Sequence, residues 1–345
     1  MSVYSDWKVA HHREQIDALR RAEQITPLHV ELILTNRCNH RCTHCAYRTP
    51  GYPSSVDFHE RDELPTTVAL GIVADSMALG ARAMQFTGGG EPTLHPEAPA
   101  IMRAALDAGL ECALVTNGSG LDRVYAEALR MAWVRVSIDA GGAKVHEGIH
   151  RSKDFQRIAD ACQRFARDQK RRALFGMSFI ATPENATAAA VAVEFAETTG
   201  FDNIRLSLAF GLDSDIQGVV ASTVARRLHC VRETRCKVID LTAARHDDAI
   251  HAVQDYGYCG TKEFTTYIGA DQNVYACCTL AYNLAGRIGS LKHQSFAELW
   301  RGTEKQAWFR RHEPRVNCRL PCQFRRRNLF IGYLLEKDPI HVNFV

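Results

Sequence analysis

Apolar and polar positions along this chain change period repeatedly, and the changes come in a regular order. Short runs such as His29-Val-Glu-Leu-Ile-Leu-Thr35 and Trp133-Val-Arg-Val-Ser-Ile-Asp139 have the length and β-branched content of strands. Between them lie longer stretches with apolar residues three and four apart, the signature of amphipathic helices. The pattern predicts a helix over 12–24 leading into a first strand at 28–35. It then predicts helices at 66–79, 97–108, 121–131, 154–169, 187–199 and 217–231, interleaved with strands at 82–87, 111–116, 133–139, 173–180 and 203–209. Repeated strand–helix units with short connections predict an α/β fold, a parallel sheet with helices outside it. In barrels of that kind chemistry gathers at the C-terminal ends of the strands.

Two of those strand ends carry unusual residues. After the first comes Cys38-Asn-His-Arg-Cys42-Thr-His-Cys45, three thiols from one loop in a CxxxCxxC spacing. A cubane iron–sulfur cluster normally takes four cysteines, so three leave one iron open. An open position is what separates a catalytic metal site from a structural one. His40 and His44 keep zinc open as an alternative metal. After the second strand comes Gln85-Phe-Thr-Gly-Gly-Gly-Glu-Pro92. Gly88, Gly89 and Gly90 let backbone approach a ligand closely, and Glu91 offers an acceptor to an ammonium group.

This pairing of a cysteine loop with a GGGE turn resembles the radical S-adenosylmethionine (radical SAM) enzymes. The resemblance implies a partial (βα)6 TIM-type barrel and a [4Fe–4S] cluster held by Cys38, Cys42 and Cys45. It also implies SAM chelated to the open iron through its amino and carboxylate groups. Cofactor contacts would come from Gly88, Gly89, Gly90 and Glu91, from Asn117 in Thr116-Asn-Gly118, and from Ser137 and Asp139 in Ser-Ile-Asp. Arg151, in His146-Glu-Gly-Ile-His-Arg151, would pair with the methionine carboxylate, for which a forked guanidinium is suited. His44 stands where the family usually has an aromatic residue and would lie near adenine.

A second group of thiols, Cys259, Cys277, Cys278, Cys318 and Cys322, lies toward the other end. The stretch Tyr267–Cys277 is similar to the hairpin of SPASM and twitch domains, although the family commonly has glycine where Gln272 stands. That likeness implies a second, auxiliary [4Fe–4S] cluster on Cys259, Cys277, Cys318 and Cys322, in a single-cluster, twitch-like domain. Whether Cys277 or Cys278 ligates stays open, and a zinc knuckle on the same thiols is the alternative. A leftover Cys278 facing the barrel mouth is a candidate catalytic hydrogen-atom donor. Cys112, Cys162, Cys230 and Cys236 sit in apolar or helical contexts and read as core. The expected domains are a helical lead-in over 1–27, the barrel over 28–235 and the cluster domain over 236–345.

Composition mainly excludes. A hydrophobic fraction of 46% and a charged fraction of 23% are ordinary for a globular protein. No apolar stretch approaches a membrane span, and the first residues lack the order of a signal peptide. Twelve cysteines without an export signal favour metal binding over disulfides and a cytoplasmic location. A net charge of +3 is too small to argue for nucleic acid, so direct DNA binding stays undecided. Arg310, Arg311, Arg315, Arg319 and Arg325–Arg327 form a basic run that reads either as solvated helix faces or as a patch for an anionic substrate.

The implied chemistry is reductive cleavage of SAM to methionine and a 5′-deoxyadenosyl radical, with flavodoxin or ferredoxin as reducing partner. About 27 residues precede the first strand, so the leader-binding domain of many peptide maturases is expected to be absent. The expected substrate is therefore a small anionic molecule or nucleotide. The strings Cys45–Tyr52, Tyr267–Asp271 and His341–Val345 resemble a phage-associated subgroup, which extends that expectation to modified bases such as hypermodified thymidine. A peptide-modifying maturase and a non-catalytic iron–sulfur scaffold or electron-transfer protein are the competing readings.

Overall fold

The computed structural model describes residues 5–250, 254–318 and 321–336. Its strands are β1 (His29–Ile33), β2 (Ala83–Thr87), β3 (Glu111–Thr116), β4 (Trp133–Ser137), β5 (Leu174–Ala181), β6 (Asn203–Leu208), β7 (Lys237–Asp240), β8 (Thr265–Ile268), β9 (Asn273–Tyr275) and β10 (Arg287–Ser290). They form one sheet in the order β10-β9-β8-β1-β2-β3-β4-β5-β6-β7. From β8 to β7 every pairing is parallel, and only β9 and β10 run antiparallel to their neighbours.

The period-two pattern explains how the sheet is covered. Val30, Leu32, Met84, Phe86, Leu114, Val134, Val136, Phe175 and Phe179 are buried in the main core, where the helices pack. Residues between them, such as Glu31, Gln85 and Arg135, face the other side. Helix Thr66–Leu79 buries Ala69, Ile72, Val73, Ser76 and Leu79, and Gly80, at φ 85°, ends it in the left-handed cap that glycine allows.

The alternation of elements holds throughout, with shifted ends. The helix predicted at 12–24 is a 3₁₀ turn (Asp6–His11) followed by a shorter helix (Arg13–Arg20), and the one at 217–231 spans Ser214–Leu228. Helix Ala143–His150 and β7 carry too few apolar residues to show a period and were not predicted. The sheet also continues past residue 235, since β7 pairs with β6 and β8 pairs with β1. Cys112, Cys162 and Cys236 are buried, but Cys230 is exposed just beyond a helix end, not part of the core. Arg319 and the tail 341–345 lie outside the described residues. Among the described residues no helix is long and apolar enough to cross a membrane.

Candidate active site and cluster-binding loops

The cysteine loop and the glycine turn are joined backbone to backbone. Gly90 N donates to Thr35 O at 3.1 Å, and Glu91 N donates to Arg37 O at 2.8 Å. A Cβ on Gly90 would sit 2.1 Å from Arg37 O, and one on Gly89 would sit 2.3 Å from Asn36 Oδ1. The close approach these glycines permit is thus to the loop that bears the thiols. Glu91 is 2% exposed, and its carboxylate is directed into the protein. Oε1 accepts from Thr93 N, Thr93 Oγ1 and Thr116 Oγ1, and Oε2 accepts from Asn117 N at 2.7 Å. Asn117 in turn donates to Asn39 Oδ1 at 2.9 Å and approaches Cys38 Sγ at 3.9 Å.

Behind the loop lies a group of residues that the sequence did not connect. Arg151 is exposed, in a left-handed conformation (φ 53°) at the end of helix Ala143–His150. Its neighbour His150 is the side chain that faces the thiols. His150 Nε2 lies 2.9 Å from Asp139 Oδ2, and Nδ1 lies 3.3 Å from Cys42 Sγ and 3.1 Å from His40 Nδ1. His40 Nε2 reaches Asp154 at 3.1 Å, and His146 stacks on His150 with centroids 4.4 Å apart. Asp139 is fully buried and also accepts from Ile180 N at 2.6 Å. His44 Nε2 lies 3.5 Å from the same carboxylate. The available signal was the spacing of His146 and His150, one turn apart on a helix face.

These contacts set the local electrostatics. Burial raises the Cys42 thiol, but hydrogen bonds from His150 and His40 outweigh that and bring it down to about 7. Burial pushes Cys38 up to about 11 and also raises Cys45. For His150, burial disfavours the charged ring, yet its bonds to Asp139 and Cys42 win and raise it to about 10.

All twelve cysteines are free thiols. In the C-terminal group, burial raises Cys259 to about 11 and Cys318 to about 12, and lifts Cys277, Cys278 and Cys322 too. Cys259 and Cys322 each add to the upward shifts of Cys277 and Cys318, so these thiols share one neighbourhood. The expected hairpin is present, with Tyr267 opposite Tyr275. Gln272 holds the left-handed conformation (φ 65°) for which glycine is the usual residue.

A cavity of about 540 Å³ opens among the strand ends. Ser137 and Ser178 line it from β4 and β5, and Tyr47 and Tyr52 from the segment after the cysteine loop. Cys278 and Gln323 close it from the C-terminal part, with Gln323 Nε2 bonded to Cys278 Sγ. Cys277, Asp139 and Arg151 are absent from its wall. So are Arg325, Arg326 and Arg327, which pair with Asp255, Asp247 and Asp6. These three arginines are therefore neutralised locally, and the arginines of the cavity are Arg135, Arg205 and Arg245, the last paired with Asp248.

Comparison with known proteins places this arrangement. The Radical SAM superfamily model matches residues 32–185, and an iron–sulfur cluster-binding domain of the SPASM kind matches residues 259–323. The chain therefore carries a radical SAM domain and a SPASM domain. Fe-coproporphyrin III synthase of Methanosarcina barkeri is 31% identical over 109 residues, covering 31% of this chain and 26% of that one. GTP 3',8-cyclase of Chlorobaculum tepidum is 32% identical over 142 residues, covering 39% and 40%. The chain thus spans between about a quarter and two-fifths of the length of these relatives. Among solved structures, Streptococcus suis SuiB bound to precursor peptide SuiA overlaps 98% of this chain and 80% of its own, with TM-score 0.65 and 12% identity. Native anSMEcpe with bound AdoMet overlaps 82% and 83%, with TM-score 0.56 and 15% identity.

A radical SAM domain implies a [4Fe–4S] cluster and SAM as cofactors, and a SPASM domain implies further iron–sulfur binding. The donor chemistry fits. One loop presents three thiols and no fourth, and a second group presents five. Burial holds most of these thiols protonated, and an incoming metal displaces such protons when it binds.

Proposed function

We propose that this protein is a radical SAM enzyme acting on a small anionic or nucleotide-type substrate, modified bases included. Cys38, Cys42 and Cys45 would hold the SAM-binding cluster, and Cys259, Cys277, Cys318 and Cys322 the auxiliary one. When bound, these groups supply reductive cleavage of SAM and a carbon radical that removes a hydrogen atom from the substrate. The chain's own residues bind, orient and exclude water. Glu91 fixes the turn that carries Gly88–Gly90 against the end of β3. Ser137 offers a hydroxyl at the cavity wall, and the Cys278 thiol, also in the wall, would give a hydrogen atom to a substrate radical.

The observation that carries the reading is the composition of the cavity wall. It joins barrel strand ends to Cys278 and Gln323 of the cluster-binding part, so a molecule inside touches both. Its volume lies in the range of small-molecule sites, and Arg135 and Arg205 supply positive charge, Arg245 being paired with Asp248 of the same wall. A flavodoxin- or ferredoxin-type partner would deliver the electron, and the clusters call for a reducing, cytoplasmic setting. A peptide is the second reading, favoured by fold overlap with SuiB solved on its precursor peptide. Anaerobically reconstituted, dithionite-reduced protein mixed with SAM is expected to form 5′-deoxyadenosine. None above background from protein with intact clusters would turn the assignment to a scaffold or electron carrier.

A further inference from the structure

The interior of this barrel is charged at a level where such barrels are packed with branched apolar side chains. Register sets Glu31 beside Gln85 on β2 and beside Tyr267 on β8. Farther round, Arg135 lies on β4 opposite Val115, and Arg205 lies on β6 opposite Ser178. Tyr267, Glu31, Gln85, Arg135 and Arg205 all line the cavity. One side of this layer is acidic and the other basic.

Glu31 is the exceptional member. Among the described residues its carboxylate receives one hydrogen bond, from the neutral amide of Gln85 at 3.0 Å, and makes no ion pair. Arg135 turns its guanidinium over the Trp133 ring, 4.7 Å from the centroid. Burial raises the Glu31 carboxyl to about 7, against the weaker opposing fields of Arg327 and Arg135. Glu31 is half-buried at the cavity wall, and a partly desolvated carboxylate with no cation paired to it is costly. The cost is recovered if a ligand brings the cation, and a perturbed acid in a cavity wall is where such a ligand is expected.

We propose that Glu31 is the specificity-determining carboxyl of the cavity and that the substrate presents an ammonium group to it. The substrate is then a zwitterion, an amine that also carries an anionic group, instead of a plain anion. This rests on the small-anion reading above and narrows it.

The test uses the reconstituted full chain with SAM and three probes that share a phosphate: O-phosphoethanolamine, phosphocholine and glycerol 3-phosphate. Only the first has an ammonium group with N–H donors. Calorimetry or ligand-detected NMR is expected to show it binding about tenfold more tightly than either of the others. Glu31→Gln is expected to shrink that preference to about twofold or less. In the unmutated protein the preference should also fall from about pH 8 to about pH 6, because a protonated carboxyl no longer pairs with ammonium. The other groups facing Glu31 hold their charge over that range. Burial keeps Tyr47, Tyr267 and Cys278 neutral, and a guanidinium does not titrate in this range. The pH series decides the matter even if Glu31→Gln does not fold.

Equal binding of the three probes, no binding of O-phosphoethanolamine, or a preference that survives both Glu31→Gln and low pH would overturn the proposal. Formation of 5′-deoxyadenosine by the same preparation without probe reports separately on the radical reading. Its failure beside an intact ammonium preference would remove the chemistry and leave the Glu31 site standing.

Discussion

Glu91 and Asn117 are locked together: the Glu91 carboxylate accepts the Asn117 backbone N–H at 2.7 Å, across 26 residues of chain. The same carboxylate holds Thr93 and Thr116, so one buried side chain fixes the glycine turn to the strand end that carries Asn117.

Glu91→Ala would leave those donors buried without an acceptor. The expected loss is roughly 3 kcal/mol of stability, seen as a lower Tm. SAM affinity should fall by more than the stability loss explains, because the turn and Asn117 separate. An unchanged Tm in Glu91→Ala would show that the carboxylate network is dispensable.

Iron content separates the two thiol groups. Two four-iron clusters give about eight irons per chain. Replacing Cys38, Cys42 and Cys45 together with alanine should leave about four and end SAM cleavage. Retention of all the iron in that variant would exclude this loop as a cluster site. Replacing Cys318 and Cys322 should spare SAM cleavage while reducing product formation.

Cys277 and Cys278 are expected to behave differently. Cys278 lines the cavity and is bonded by Gln323, whereas Cys277 is absent from the wall and feels both Cys259 and Cys322. Cys277→Ser should release the auxiliary irons, and Cys278→Ser should keep them but slow turnover. Iron analysis of the two variants checks the assignment, and the reverse result would exchange the roles.

The fold was legible because its signals are local. Strand and helix periods and the two strand-end motifs are each contained in a few residues. The site was less legible where geometry depends on phase or distance. Helix Ala143–His150 has too few apolar residues to show its phase, so the sequence does not tell that His150 turns toward the thiols while Arg151 is exposed. The partners of Arg325 and Arg326 lie 70 and 79 residues away in Asp255 and Asp247, and no local pattern announces them. Glu31 passed unremarked because a lone acid in a strand reads as surface until the neighbouring strands show that it faces a cavity.

Stability should depend on Glu31 with a definite sign. Its carboxyl is raised from 4.5 to about 7 by burial, so the folded protein holds that proton more tightly than the unfolded chain. Its contribution is fully present below about pH 4.5 and is lost as pH rises through about 7, amounting to at most about 3 kcal/mol. Glu31→Gln should flatten this part of the Tm–pH curve. If the curve of the variant matches that of the unmutated protein, the carboxyl is not desolvated in solution.

The parallel pairing of β8 with β1, from His29 opposite Thr265 to Leu32 opposite Ile268, reaches beyond the cavity it helps to shape. Without β8 the first strand would present a bare row of amides and carbonyls, an open edge ready to recruit strands from other molecules. A barrel cut away from its cluster-binding part would therefore be prone to aggregate. The two parts are better regarded as a single unit of folding and of inheritance, and a truncation meant to isolate the barrel's chemistry should carry β8 with it.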